Sequence, residues 1–452
     1  MSKSIKIRKG LDIKLKGEAD RVLTTPDLGS NFCIKPTDFH GLVPKMVKKV
    51  GEKVKVGSIV FHDKYNDKIK FTSPVAGEVT DIVRGAKRKI LEVRIKADGT
   101  DAAESFKTGD ANMSREEIVE NLLISGVWPV IRQRPVSVIP DPATTPKSIF
   151  ISGFDSNPLA PDLDFILHQN EELFQFGLDI LGKLTEGKVH LNLKAGAAHD
   201  IALKGAKGVQ LNSVAGPHPA GNVGPQIHQI DPINKGEYVW YLNAQDVLTI
   251  ARLFKTGKYD ASKVVALTGA EVKSPKYYKV KFGANIKPLV DGNVNEGDLR
   301  YISGNVLTGD KVDADGYLGF YHNQVTVIPE GHDAQFFLTE GWLSPGSKKL
   351  SASRAYFSWL KPNKKYNLKT SLNGEERAFV VSGQYEKVFP FDIYPVQLVK
   401  AIMVNDITKM EQLGIYEVDP EDFALCEFVC TSKINSMEIV RGGLDVVHSE
   451  CL

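Results

Sequence analysis

The strongest constraint on this chain is a change of rhythm along its length. From residue 30 to residue 97, apolar and polar side chains alternate at period two, as in KFTSPVAGEVTDIVRGAKRKILEVRIK. Gly51, Gly57, Gly77 and Gly85 fall at the breaks in that pattern. This predicts a compact all-β module that ends near KADGTDAAES. From residue 113 the period lengthens. MSREEIVENLLISG carries a capping box (Ser114 with Glu117), an apolar face of Ile118, Val119, Leu122 and Leu123, and a stop at Gly126. Short apolar runs (VSVI, SIFISGF, VHLNL, GVQL) then alternate with helical segments such as DFILHQNEELFQFGLDILGKL, and EYVWYLNAQDVLTIARLFKTG reads as a closing helix. That alternation predicts an α/β layer on a mostly parallel sheet. Residues 262–312 turn β-rich again. The remainder mixes strands, as in YLGFYHNQVTVIPEG, with helices; in DPEDFALCEFVC, Asp419 is placed as N-cap and Pro420 at the first helical position. No fixed-period repeat is visible.

A length of 452 residues is enough for two to four domains. The pattern divides it into four: residues 1–100 (a β module with an N-terminal arm), 101–260 (α/β), 261–330 (β-rich) and 331–452 (mixed, with a helical tail). An apolar share of 42% supports real cores, and a net charge of +2 with no contiguous polybasic run argues against a nucleic-acid binder. Four cysteines are too few for a disulfide framework in a chain of this size, which points to a reducing compartment. MSKSIKIRKGLDIKLKG is basic but lacks the apolar stretch of a signal peptide. No apolar run approaches the about 18 residues that a membrane-spanning helix needs.

Five stretches invite a chemical reading. The hairpin VGEKVKVGSIVFHDKYNDKIKFTSPVAGEV resembles the one that carries the modified lysine in biotinyl and lipoyl domains. Counting back from Pro74, Asn66 falls at the carrier position, and Lys64 and Lys68 miss the register. A polar scaffold tip is therefore weighed against a swinging arm. HLNLKAGAAHDIALKGAKG reads as a strand, a small-residue turn and a helix, but lacks the three glycines of a dinucleotide fingerprint; no phosphate-binding G-x-x-x-x-G-K-[ST] occurs. Cys426 and Cys430, with His448 and Cys451, could in principle ligate zinc; the spacing equally suits buried thiols on a core stripe with Phe423 and Leu425. NSVAGPHPAGNVGPQIHQIDP, residues 212–232, reads as a long irregular loop holding His218 and His228, suited to a partner contact or a rigid structural role. Finally, GVWPVIRQRPVSVIP alternates Arg132 and Arg134 beside Trp128, either gripping an anionic ligand or partner or forming a solvated strand face.

The order of modules, together with GLDIKLKG, SPVAGEVTDIVRGAKR, RQRPVSVIP, NPLAPD, GLDILGKLTEGKV, GPHPAGNVG, ISGNVLTG and EDFALCEFVC, is similar over essentially the whole chain to the A subunits of Na+-translocating NADH:quinone reductases, the Nqr complexes. Those subunits resemble in turn the C subunit of the Rnf complex and the flavoprotein subunit of respiratory complex I. The resemblance implies an α/β multidomain fold: a lipoyl-like barrel-sandwich hybrid, a Rossmann-like α/β layer, a β-grasp module of the SLBB type carried by TGAEVKSPKYYKVKFGANIKPLV, and a mixed C-terminal region. In the flavoprotein relatives a GGAGFPT-like loop approaches FMN, whereas here the corresponding place reads SGVWPVIRQRP; the relatives' C-x-x-C-x-x-C cluster motif is likewise absent. The resemblance therefore implies a peripheral subunit on the cytoplasmic side of a bacterial inner membrane. It would carry no cofactor or metal of its own, with flavins and the iron–sulfur centre on other subunits. It would dock on the other Nqr subunits, chiefly the membrane-embedded B subunit, and support the quinone end of a Na+-pumping, NADH-oxidising translocase. Were ubiquinone to touch this chain, the candidates are the loop TDFHGLVPK, with Phe39 stacking on the ring and His40 donating to a carbonyl, and the strand RQRPVSV; a surface turn of the β module is the other reading of that loop. Arg132, Arg134, His218 and His228 complete the quinone- or partner-facing set. The rival reading is a stand-alone or Rnf-type FMN and iron–sulfur NADH dehydrogenase subunit.

Overall fold

The computed structural model describes residues 3–110, 112–332, 336, 338–339, 341, 343–352 and 355–451. The period-two stretch folds into two facing antiparallel sheets. One orders Asn31–Ile34, Ile90–Ala97, Gly77–Arg84 and Lys53–Val54; the other orders Pro44–Met46, Ile59–Asp63 and Lys70–Thr72. Phe61, Phe71, Val79, Val93 and Ile95 fill the space between them.

The α/β layer is a six-stranded sheet ordered Ser4–Lys6, Gln210–Ala215, Lys188–Lys194, Ser148–Ser152, Val239–Asn243 and Arg132–Arg134. Neighbours pair in parallel except at the last strand, which runs antiparallel. Both faces are apolar, because helices cover both. Ile149 and Ile151 join the core beneath helices Glu171–Leu181 and Ala244–Thr256, while Phe150 joins Val223, Ile227 and Ile230 of the helix on the opposite face.

The β-rich segment forms a second six-stranded sheet, Asp310–Val312, Leu299–Ser303, Gln324–Pro329, Ser262–Thr268, Lys276–Lys281 and Asp20–Thr24. The C-terminal region packs helices Pro395–Met403, Ile407–Gln412, Ala424–Val429 and Ser436–Cys451 around Phe389, Phe391, Met410, Phe423 and Cys426.

Two expectations need correction. EYVWYLNAQDVLTIARLFKTG does not close the layer as a helix throughout. Val239–Asn243 is a central strand, and the helix begins at Ala244. Four β-forming residues buried on both faces give the same apolar density as a buried helix, so periodicity could not separate them. Residues 212–232 are not one irregular loop. They start in the strand Gln210–Ala215 and end in the helix Val223–Ile230. Pro225 lies in that helix's first turn, where its missing N–H costs nothing, so the proline content disguised a helix start. The N-terminal arm adds a strand to each of two sheets. Its strand Ser4–Lys6 extends the α/β sheet, and Asp20–Thr24 extends the second six-stranded sheet.

Candidate functional site

In a doubly wound sheet the ligand crevice opens at the carboxyl ends of the strands where the order reverses. Here that point lies between Ser148–Ser152, which leads towards Lys188–Lys194 on one side, and Val239–Asn243 on the other. Beyond Ser152 the chain turns through Asp155 and Ser156. The Ser156 hydroxyl accepts from the Gly221 amide at 2.8 Å and shares a 3.0 Å hydrogen bond with His218 Nδ1. The His218 amide donates to Asp12 of the arm at 2.8 Å. Burial pushes the imidazole down to about 4, so it is neutral at pH 7. Gln226 then ties the helix Val223–Ile230 to the strand ends, donating to Ser152 at 2.9 Å and accepting from Asn192 at 2.7 Å.

The positive end of that helix, where a phosphate would be held in a nucleotide-binding sheet, faces a carboxylate of the chain itself. A Cβ on Gly224 would stand 2.4 Å from Asp422 Oδ1, so only glycine permits the approach. Asp422 lies in the turn Pro420–Phe423, which opens with a capping box between Asp419 and Asp422. Both carboxylates converge on Arg134. Its Nη1 donates to Asp422 at 3.0 Å, its Nη2 donates to Glu421 at 2.6 Å, and Asp419 lies 3.9 Å away. Arg134 is fully buried. Burial pushes Asp422 up, against the pull of Arg134. Burial also pushes Asp419 up, but Arg134 and Arg441 outweigh it and hold that carboxyl below its ordinary range.

Arg132 and Arg134 are thus not a solvated strand face. The Arg132 guanidinium is sandwiched between Tyr241 and Tyr321, 4.5 and 4.4 Å from the ring centres. Beyond Arg134 the backbone carries Val136 at φ 77° and Ser137 at φ 58°. A β-branched residue in the left-handed region is strained by about 1–3 kcal/mol. Arg441 holds it there, donating to the Val136 carbonyl at 2.6 Å, and Tyr241 donates to Ser137 at 2.9 Å.

The remaining candidates also join domains. Phe39 is neither a surface turn nor an exposed stacking ring. It is 3% exposed and packs on Phe71 of the β module and on Phe320 and Tyr321, with ring centres 4.6–5.8 Å away. His40, half-buried, meets Asp445 of the last helix at 2.6 Å; burial and nearby Arg441 lower its basicity. His228 Nε2 accepts from the Asp392 amide at 3.0 Å, so its Nδ1 carries the proton and donates to Glu417 at 2.7 Å. Sequence reasoning missed Asp422 and Glu421 as partners of Arg134, and Tyr241 and Tyr321 as the clamp on Arg132. The run DPED was legible as a helix start, but nothing local tied it to an arginine nearly three hundred residues earlier.

Three family models match along the chain: the NqrA N-terminal barrel-sandwich hybrid domain over residues 5–98, the NqrA second alpha/beta domain over 113–259, and the NQRA C-terminal domain over 264–314. The A subunit of the Na(+)-translocating NADH-quinone reductase from Hahella chejuensis is 39% identical over 99% of this chain and 100% of its own length. The corresponding subunits of Saccharophagus degradans and Pasteurella multocida are 40% and 39% identical with the same coverage. The chain belongs to the A-subunit family of these reductases.

In this A subunit, the place that corresponds to the flavin loop of the flavoprotein relatives does not fit a flavin. Trp128, Val130 and Ile131 are buried there, and Trp128 meets Trp240 edge-on at 5.3 Å while donating to the Pro140 carbonyl at 3.0 Å. At the hairpin tip, Asn66 closes the turn by accepting from the Ile69 amide at 3.1 Å. Cys426 and Cys430 are buried thiols, and burial pushes Cys426 far above its ordinary value. Among the described residues no group of three or more His, Cys, Asp or Glu is placed to hold a metal, and no helix is long and apolar enough to cross a membrane.

Proposed function

We propose that this chain works as a cofactor-free peripheral subunit of a Na+-translocating NADH:ubiquinone reductase. It docks from the cytoplasmic side on the membrane-embedded partners, chiefly the B subunit, and supports the quinone-reducing end of the complex. The observation that carries the reading is the filled crevice. Where related folds bring a glycine-rich loop and a helix N-terminus to a cofactor, this chain brings Trp128, packed on Trp240, and the Arg134–Asp422 pair, which joins the α/β layer to the C-terminal region. Phe39, His40, Arg132, Arg134, His218 and His228 then act by fixing the relative positions of the domains that present the docking surface. The test has two readouts. Membranes stripped of this chain should lose NADH-driven ubiquinone reduction and regain it when the purified chain is added back, and the purified chain should show no flavin absorbance. A stoichiometric flavin band would overturn the cofactor-free part. Full activity in stripped membranes would overturn the subunit role. A photoreactive quinone analogue that labels only the membrane-embedded partners would confine ubiquinone contact to them.

A further inference from the structure

Three large apolar side chains stand exposed within four residues of one short turn. The 3-10 turn Phe357–Leu360 has no buried residue. Phe357 is 66% exposed, Trp359 51% and Leu360 58%. Residues three apart eclipse in such a turn, so Phe357 and Leu360 share a side. Exposed Leu343 and Leu372 lie in the adjoining sequence. Single exposed apolar residues are ordinary, but several large ones in one short segment are not.

The charge around the turn is one-sided. From Ala355 to Asn373 the sequence has no acidic residue and carries Lys361, Lys364, Lys365 and Lys369. Lys348 and Lys349 precede the turn. The lysines are spaced out, which is why no contiguous basic run marks the sequence. The N-terminal arm adds to them: Tyr366 is buried and bridges the arm, accepting from the Lys16 amide at 2.9 Å and donating to the Lys14 carbonyl at 2.8 Å. That pairing leaves the Lys14 and Lys16 side chains exposed beside the turn, with Lys14 Nζ on the Pro362 carbonyl at 2.9 Å. Among the described residues, Glu18 pairs with Lys365 at 2.7 Å, Glu271 accepts from Asn367 at 2.9 Å, and Glu330 accepts from Thr370. The turn is held in place: the Ser351 amide donates to the Ser358 hydroxyl at 3.0 Å.

Exposed Trp and Phe rimmed by lysines have the composition of a membrane-interface element. The rings enter the headgroup layer while flexible lysine stems reach anionic phosphates. A protein partner fits less well, because protein interfaces favour arginine and are depleted in lysine. We propose that the Phe357–Leu360 turn and its flanking lysines form a membrane-surface anchor that seats Phe357, Trp359 and Leu360 among the headgroups of an anionic bilayer. This goes beyond the docking role proposed above, since it requires no protein partner.

The experiment is sedimentation of the full chain with vesicles of phosphatidylcholine alone or mixed with phosphatidylglycerol. The expected result is binding to the anionic vesicles only, weakened by salt as the lysines are screened. Trp359 fluorescence should shift to the blue and be quenched by brominated acyl chains, a signal absent from W359F. F357S/W359S should lose binding at least about tenfold, and Lys361→Glu should weaken it by about fivefold or more. Circular dichroism of these surface variants checks that they fold. Three outcomes overturn the proposal: no binding to anionic vesicles at low salt, full binding by F357S/W359S, or competition by free inorganic phosphate at millimolar levels, which would mark a phosphate site instead. Capture of this face by solubilised membrane-embedded partners without any vesicle binding would make it a protein interface, and also overturns the anchor. Failure here leaves the add-back test of the docking role untouched.

Discussion

Replacing Arg134 with methionine should unlatch the C-terminal region from the α/β sheet. The guanidinium is fully buried and makes two charged hydrogen bonds, at 2.6 Å to Glu421 and 3.0 Å to Asp422, with Asp419 at 3.9 Å. Methionine fills much of the volume but leaves Asp422 buried and unpaired. Removing one partner of such a pair costs about 3–5 kcal/mol. The loss should stay near the lower bound, because burial already pushes Asp422 up and it can take a proton once Arg134 is gone. Unfolding of a 452-residue chain with several separate sheets is not two-state, so a global midpoint is a poor readout. Hydrogen exchange of the strand Arg132–Arg134 and the turn Pro420–Phe423 reports the latch directly. Local opening weakened by about 3 kcal/mol accelerates exchange there by about a hundredfold or more, while the β module should be unaffected. Adding Asp422→Asn should recover part of the loss, and Arg134→Lys should fail to substitute because an ammonium lacks the two-pronged geometry. Exchange in R134M within about twofold of wild type would refute the latch.

Gly224→Ala should open the same turn, since its methyl group would stand 2.4 Å from Asp422 Oδ1; exchange at Pro420–Phe423 should rise without R134M. Trp128→Ala should cost about 3–5 kcal/mol by leaving a cavity against Trp240, seen as faster hydrogen exchange in the strand Val239–Asn243, with no gain of flavin binding on titration. His228→Ala leaves the Glu417 carboxylate and the Asp392 amide without their partner; about 1–3 kcal/mol of local stability should be lost, read as faster proteolysis between residues 380 and 395. Glu330 gives a pH signature. Burial raises it, but Arg300, Thr370 and Lys311 together hold it down at about 2, against 4.5 when unfolded. The folded state therefore binds this proton less well, so the contribution is complete above pH 4.5 and fades as pH falls towards 2. Glu330→Gln should flatten that acid limb in denaturation followed by circular dichroism.

How much of this was legible in the sequence depended on range. The capping box at Ser114 and Glu117 and the stop at Gly126 are local, and both appear as expected. The two-faced sheet was legible as a fold class because buried strands separated by helices leave a pattern. The strand Val239–Asn243 hid inside a helical-looking run, and the helix Val223–Ile230 hid behind glycine and proline. The candidate site was least legible. Arg132 and Arg134 were visible, but their partners come from residues 241, 321 and 419–422, and pairing over such separations leaves no periodic trace. The same holds for the arm, whose two strands pair with strands more than two hundred residues downstream.

The central claim is that this chain is one part of a membrane complex and works there without its own redox group. Affinity purification of the tagged chain from gently solubilised native membranes tests it most directly. The account predicts that membrane-spanning reductase partners and NADH:ubiquinone reductase activity elute with the chain, and that raising salt releases the chain free of flavin. Recovery of the chain alone in the soluble fraction, with no partners and an NADH-reducible flavin of its own, would contradict it.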